Sequence, residues 1–476
     1  MPRTRLPVLL LLIALTARTG PAAAGTIGYV LTSDYVTGTL SVLDPATRTV
    51  VSDVATVSAD PMARWHGGLI YVVNRYGYDN VQVLDPQQNY ATVRQFSVGN
   101  GTNPQDIAFA SPTKAYVSRL GSPELLVVDP ATGTALGSIS LAPWADADGN
   151  PEAARLAMVG DLLLVALGRL TNFVPADTGL VVVVDTRADT ILDADPLTPG
   201  LQVVRLAGTN PGTDFVLLPA SGPGEERHLY LGCVGTWGVL DGGIEELIVP
   251  GPLERASEPI RSAGFVVTEA ALGGDVLDIA TDGGGHPYAI VSDAAFNTSL
   301  VSWDPQSGTR LGTLYAPGGY SLSDAALDGR GGLWVCNSSY GAPGLYVFEA
   351  GSDTALAGPI ATGMPPIQVL FVEDSTAAPP DPRPAAPVSI VPPAPNPAHG
   401  PVQIGFVLAD PGPASVEILD LAGRRLRVLA AGPFSAGTTV LPWDLAGDDG
   451  RRVPPGIYFV RATSAGATAA RRLVVL

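Results

Sequence analysis

The segment Leu69-Ile70-Tyr71-Val72-Val73-Asn74, with Asn80-Val81-Gln82-Val83-Leu84-Asp85-Pro86 after a short polar loop, decides the fold. Two apolar runs of strand length and β-branched composition, closed by Asp-Pro, read as an antiparallel hairpin ending in a turn. The same pattern ends at Asp44, Asp85, Asp129 and Asp185, and degraded copies end near Val249, Asp304 and Glu349. The spacings are 41, 44, 56, 64, 55 and 45 residues. Periods of that size with strand-type segments are the mark of propeller blades, four-stranded sheets that cannot bury their faces alone. Seven copies predict seven blades.

Each hairpin is followed by a further strand and preceded by an inner one, visible at Asp106-Ile107-Ala108, Asp214-Phe215-Val216, Asp278-Ile279-Ala280 and Asp324-Ala325-Ala326. The first hairpin lacks an inner strand, whereas Ile367 to Val372 follows the last hairpin with no blade of its own. Lending that strand to the first blade covers its open edge and closes the ring, so the propeller is expected over residues 25–374. Composition agrees: 55 Gly and 44 Pro in 476 residues oppose a mainly helical chain, and 46% hydrophobic residues are ample for a core. The expected class is all-β, a seven-bladed β-propeller followed by a small Ig-like β-sandwich.

The propeller region resembles the YVTN-type surface β-propellers, through the repeated YVVN…VxVLDP pattern that is fullest at Tyr71–Asn74 and Val83–Pro86. That family includes lactonase-like enzymes, accessory proteins and surface binders of cobalamin that partner outer-membrane receptors. The resemblance implies architecture well and function poorly, because its motif residues serve turns and packing.

Residues 375–393 are rich in Pro and predict a stiff, extended linker. Residues 394–476 then hold strands of alternating polarity joined by Gly-containing turns, which describe an Ig-type sandwich. They resemble both the Ig-like domain of flagellar hook-capping proteins and the type A carboxy-terminal sorting domain of the type IX secretion system. The carrying motifs are Pro395-Asn396-Pro397, Asp420-Leu421-Ala422-Gly423-Arg424, Trp443-Asp444 and Pro455-Gly456-Ile457-Tyr458-Phe459-Val460, with the basic-apolar end Arg471 to Leu476. The Asp448-Asp449-Gly450 hairpin leans toward the hook-capping variety. The resemblance implies secretion machinery as a partner; the plain alternative is a structural sandwich.

At the amino terminus Arg3 and Arg5 precede the apolar stretch Leu6 to Ala17, and Ala22-Ala23-Ala24 offers a small-residue cleavage site. Residues 1–24 are therefore expected to be a secretory signal peptide, with the protein secreted or on the outer cell surface. No apolar run reaches the ~20 residues of a membrane span. Cys233 and Cys336 are the only cysteines and are expected to be buried strand residues. The chain's net charge of -18 comes from the propeller region, where residues 25–374 hold 15 basic and 38 acidic groups, and acidity of that degree argues against nucleic acid as a partner.

Chemistry is sparse. His66, His228, His286 and His399 show no paired metal spacing, and no nucleophile elbow, phosphate loop or dinucleotide fingerprint is present. The sharpest cluster is Asp146, Asp148, Asn150 and Glu152, oxygen donors at alternate positions in a loop between blades. It is a candidate calcium site, with a loop held by Asx-turn hydrogen bonds as the alternative. Propeller geometry contributes more. The loops after each second strand emerge with the inter-blade loops on one face, where Arg75, Tyr76, Arg119, Trp144, Arg169, Trp237, Phe296 and Tyr340 are candidate ligand-binding residues. Arg and aromatic side chains in a concavity suit a polar organic ligand; alternatively the Arg residues pair with nearby Asp to hold the loops. The expectation is binding of a small molecule, glycan or surface protein, with cobalamin-like nutrient capture and lactonase-like or glycan-cleaving catalysis as alternatives. A catalytic site would need a carboxylate or His poised in the channel.

Overall fold

The structure is a computed structural model that describes residues 25–476 apart from 220–221, 223–224, 252–256, 282, 340, 375–387, 392, 394–395, 397 and 409. The expected signal peptide, most of the expected linker, Pro395, Pro397 and the candidate Tyr340 lie outside the described residues. The chain divides into two compact units, Met1–Pro379 and Pro380–Leu476.

The first unit is a seven-bladed β-propeller. Blade 1 is built from Gly25–Ser33, Gly38–Asp44 and Thr49–Val57, with Pro366–Asp374 as its innermost strand. That strand pairs antiparallel with Gly25–Ser33 over almost its full length, which is the ring closure expected from the sequence. Blades 2, 3, 6 and 7 are simple four-stranded meanders over 61–97, 104–140, 275–315 and 322–360. Blade 4 (153–205) carries a two-stranded excursion, Leu170–Thr171 with Val174–Pro175, and blade 5 covers 216–268.

The apolar repeats have a direct physical reason. Successive side chains in a strand point to opposite faces, so a strand sandwiched between two neighbouring blades needs apolar residues at consecutive positions. In blade 4, Leu163, Val165 and Leu167 pack toward blade 3 while Leu162, Leu164 and Ala166 pack toward blade 5. One such apolar cluster fills each of the seven blade interfaces, the last joining Val30 and Leu43 of blade 1 to Trp334 and Leu345 of blade 7. The Asp of each Asp-Pro-type ending has a separate job. Asp44, Asp85, Asp129, Asp185 and Asp304 each accept the amide N–H two residues on, at 2.8–2.9 Å, and so lock the turn. Cys233 and Cys336 are both buried and unbridged, packed as strand residues.

The second unit has two antiparallel sheets. One joins Val388–Ile390, Val402–Leu408 and Gly437–Trp443; the other joins Arg425–Phe434, Gly412–Asp420, Gly456–Ser464 and Ala467–Val475. They share a single core that includes Phe406, Trp443, Tyr458 and Val460. Trp443 Nε1 donates to the Ala446 carbonyl at 2.9 Å, and Tyr458 OH to the Pro454 carbonyl at 2.6 Å. The motif aromatics thus satisfy their polar ends on their own turns.

Candidate functional site

The innermost strands line the propeller axis, and their polar side chains form a ring. Asp106 Oδ2 accepts the Leu156 amide of the next blade at 3.0 Å, Asp278 Oδ2 the Ala325 amide at 2.7 Å, and Asp324 Oδ2 the Val369 amide at 2.8 Å. Gln368 Oε1 does the same for Ala63 at 2.8 Å. Three of the four recurring inner-strand Asp residues, Asp106, Asp278 and Asp324, therefore staple one blade to the next.

Charge concentrates on the axis. Arg64 of blade 2 grips Asp106 of blade 3 through two nitrogens, at 2.9 and 2.8 Å, and reaches Asp214 of blade 5 at 2.6 Å. Arg155 of blade 4 approaches Asp214 at 3.3 Å, and Arg75 pairs with Asp60. Burial works to lower the Arg64 pKa, but Asp106 and Asp214 outweigh it and hold the guanidinium firmly charged. Burial works to raise Asp214, yet Arg64 and Arg155 keep its carboxyl well below the usual range. Among the described residues, Asp278 and Asp324 form no ion pair. Burial, then the charge of Asp324, pushes Asp278 well above the ordinary carboxyl value. Burial pushes Asp324 up to about 7, against the Val369 amide and the more distant Arg155 and Arg64.

Of these groups Asp60, Arg75, Arg155, Asp214, Asp278 and Asp324 line a well of about 450 Å³, together with Tyr35, Met62, Leu277 and Gln368. A second cavity of about 400 Å³ shares Arg75, Arg155, Leu277 and Ser323 with the well and adds Phe173, Trp237 and Tyr320. A third, of about 660 Å³, shares Leu170 and Phe173 with the second and runs outward past Tyr76, Asn103 and Leu120. Together they form one trough from the axis toward blades 2 to 4. Among the described residues, Arg75 Nε and Arg155 Nη1 are buried without a hydrogen-bond partner.

Four residues singled out in the sequence sit where their role requires less or something else. Arg119 spends its guanidinium on the Glu124 and Val98 carbonyls, at 2.8 and 3.0 Å, and tethers its own loop. Arg169 pairs with Asp177 at 2.8 Å beneath the blade 4 excursion. Trp144 packs half-buried against the blade 3–4 interface, and Phe296 stands half-exposed on a turn outside the trough. Arg75, Tyr76 and Trp237 do line the trough.

The acidic loop takes up its Asx-turn form. Asp146 accepts the Asp148 amide at 3.1 Å and the Thr171 hydroxyl at 2.8 Å, and Asp148 accepts the Asn150 amide at 2.9 Å. Glu152 is buried and accepts the Leu170 amide at 2.7 Å. Burial pushes its carboxyl up to about 7, with Asp148 and Asp146 adding to the shift. Among the described residues, no group of three or more His, Cys, Asp or Glu is placed to hold a metal ion. Asp146 and Glu152 anchor the blade 4 excursion through Thr171 and Leu170.

Comparison with solved structures agrees with this topology. A protein from Lactobacillus plantarum is 13% identical, spans 74% of this chain and 100% of its own, and superposes with a TM-score of 0.51. The fold is a β-propeller. A putative 6-phosphogluconolactonase from Bacteroides fragilis (13% identity, 74% and 99% coverage, TM-score 0.49) has the same overall likeness. So does the Myceliophteria thermophila Cps50 (Swd1) β-propeller domain, at 16% identity, 65% and 89% coverage and a TM-score of 0.48. At such identities the likeness concerns fold alone. No protein-family model matches the chain, and no curated protein matches it at a significant level.

Sequence reasoning missed Tyr35, Arg155, Tyr320 and the channel carboxylates Asp214, Asp278 and Asp324 as site residues. The carboxylates did carry a signal: an Asp at the same position of four inner strands. Inner strands face the axis, so a recurring acid there is a recurring acid in the channel.

Proposed function

We propose that this chain is an exported β-propeller that binds a small polar organic ligand in the axial well, and that its carboxy-terminal unit, of Ig-like type, serves secretion or surface attachment. One observation carries the binding reading: Arg75, Arg155, Asp214, Asp278 and Asp324 converge on the floor of a well whose mouth holds Tyr35, with Trp237 and Tyr320 beside it. A few converging polar groups under aromatic walls are what a site for a small polar molecule requires. The cavity volume lies within the ~300–1,000 Å³ typical of such sites. Export is supported by the Arg-flanked apolar stretch before Ala24, and no helix among the described residues is long and apolar enough to cross a membrane. Attachment is supported by the motif residues of the carboxy-terminal unit, with a YVTN-type origin supported by the blade repeats.

The test is calorimetric titration of the mature protein against amino acids, sugars and cobalamin, with Arg155→Gln and Asp324→Asn as controls. A binder weakened about tenfold or more by both substitutions supports the reading, since each removes a charged contact to the ligand. A panel without binders, or binders indifferent to both changes, overturns it.

A hydrolytic reading is favoured by one specific feature, the Asp324 carboxyl held near neutrality in the well. Such a group takes a proton from an attacking water and returns it to the leaving alkoxide of a lactone, the acyl–oxygen bond breaking as the new one forms. Turnover of a lactone panel, abolished in Asp324→Asn, distinguishes this reading from binding alone.

A further inference from the structure

The trough is larger than one small molecule. Each of its three contiguous cavities, of about 450, 400 and 660 Å³, is by itself within the ~300–1,000 Å³ of a small-ligand site. A compact ligand in the well leaves the outer two open. They add aromatic rings, Tyr76, Phe173, Trp237 and Tyr320, and the outermost also adds the amides Asn103, Asn150 and Asn172 beside Asp79, Asp148 and Glu152.

Those rings are held at a backbone cost. The blade 4 excursion turns through Asn172 and Phe173 between Thr171 and Val174, with φ of 53° and 63°. A two-residue turn with both centres in the left-handed region is ordinarily made by Asn-Gly, because Gly lacks the Cβ that strains this backbone conformation. Phe173 takes the Gly position and leaves its ring 76% exposed, so packing does not repay the strain. Tyr35 in blade 1 and Tyr76 in blade 2 also hold left-handed backbone, with φ of 65° and 24°, and leave 79% and 78% of their surface exposed. The Phe173 turn is braced from below by Glu152 on the Leu170 amide, Asp146 on the Thr171 hydroxyl and Arg169 on Asp177. A strained, exposed ring on a braced turn is positioned for something outside the chain.

We propose that the trough is an oligosaccharide site, in which the end ring of a neutral glycan chain enters the well and the following rings stack over Phe173 toward Tyr76. This rests on the axial well being a ligand site. A sugar ring offers an apolar C–H face to an aromatic side chain and a rim of hydroxyls to amides and carboxylates, which is the pairing the trough presents. A chain of such rings matches a series of aromatic residues, Phe173 of blade 4 and Tyr76 of blade 2, along one cavity. Asp79, Asp148 and Glu152 beside the outer cavity, in a chain of net charge -18, disfavour sulfated or phosphorylated polymers.

The experiment titrates the mature protein with β-1,4-glucan, α-1,4-glucan, β-1,4-mannan and chitin oligosaccharides of one ring upward, against wild type, Phe173→Gly and Arg155→Gln. The expected result is affinity for one series that rises with chain length. Phe173→Gly then weakens the longer chains about tenfold, leaves the single sugar unchanged, and melts no lower than wild type because Gly accepts the turn. Arg155→Gln weakens every length. Affinity that is flat with length, or unchanged in Phe173→Gly, overturns the proposal. If no oligosaccharide binds but a non-sugar ligand does, and Arg155→Gln weakens it, the oligosaccharide site is overturned and the well stands. If nothing binds, both fall.

Discussion

The aromatic side chains of the propeller fall into two populations. Between blades, Tyr29, Tyr71, Tyr116, Tyr288, Trp303 and Trp334 are buried in the strand interfaces. Several also bond at their polar ends: Trp334 Nε1 donates to Asp328 at 3.0 Å, Tyr116 OH to Asp189, and Tyr288 OH accepts the Gly351 amide at 2.6 Å. On the loop face, Tyr35, Tyr76, Phe173 and Tyr320 keep more than half their surface in water. Strand periodicity explains the first group completely, since a ring at an inward position has nowhere else to go. Nothing in the packing explains the second. The difference separates rings that the blade interfaces require from rings that the fold leaves exposed on its loop face.

The comparison is sharpest where it predicts opposite outcomes. Trp334→Ala opens a cavity in the blade 7–1 interface and is expected to cost about 3–5 kcal/mol of unfolding free energy by denaturant titration. A loss below about 1 kcal/mol would mean that the ring closure tolerates a void that close-packed interiors do not. Asp214→Asn comes next. It strips Arg64 and Arg155 of a shared carboxylate, and because Asp214 is about one-third exposed the expected cost is about 2 kcal/mol, below that of a fully buried pair. The Asp214 contribution is present above the unfolded carboxyl pKa and is lost as pH falls below it, so the variant loses less stability on acidification than wild type.

Glu152 and Asp324 predict the reverse pH trend. Each carboxyl is raised to about 7 in the folded state, so the native protein holds more protons than the unfolded chain across roughly pH 4–7. Stability from these groups falls as pH rises through that window and stays at the lower level above it. Glu152→Gln keeps an oxygen for the Leu170 amide and removes the penalised charge. Its Tm is expected to match wild type near pH 5 and exceed it near pH 8. Equal Tm values at pH 8 would show that the loop already relieves the charge. The smallest effect is at Phe173, where Gly is expected to change stability by no more than about 0.5 kcal/mol, and in the stabilising direction. A clear loss there would move Phe173 into the structural population and remove the reason for assigning it to a ligand.

How far the sequence reached follows from the range of each interaction. The closing strand was legible because Ile367 to Val372 had no blade of its own, and edges must be paired. The Asp of the blade endings was legible because its hydrogen bond spans two residues. The loop rule brought Arg75, Tyr76 and Trp237 to the trough, yet it gave equal standing to Arg119 and Arg169, whose partners are nearby loop groups. Arg155 escaped notice because it sits in an inner strand beside apolar neighbours, and its partner Asp214 is in another blade.

The sequence by itself determined the seven-fold repeat, the strand faces and the turns, since these depend on period-2 patterning and contacts a few residues apart. Only the tertiary structure decided which polar groups meet on the axis. Arg64 contacts Asp214 at a separation of 150 residues, and ring closure alone brings them together. Among the described residues the same closure leaves Asp278 and Asp324 without an ion-pair partner and brings inner-strand acids that look merely repetitive together in the lining of the axial well.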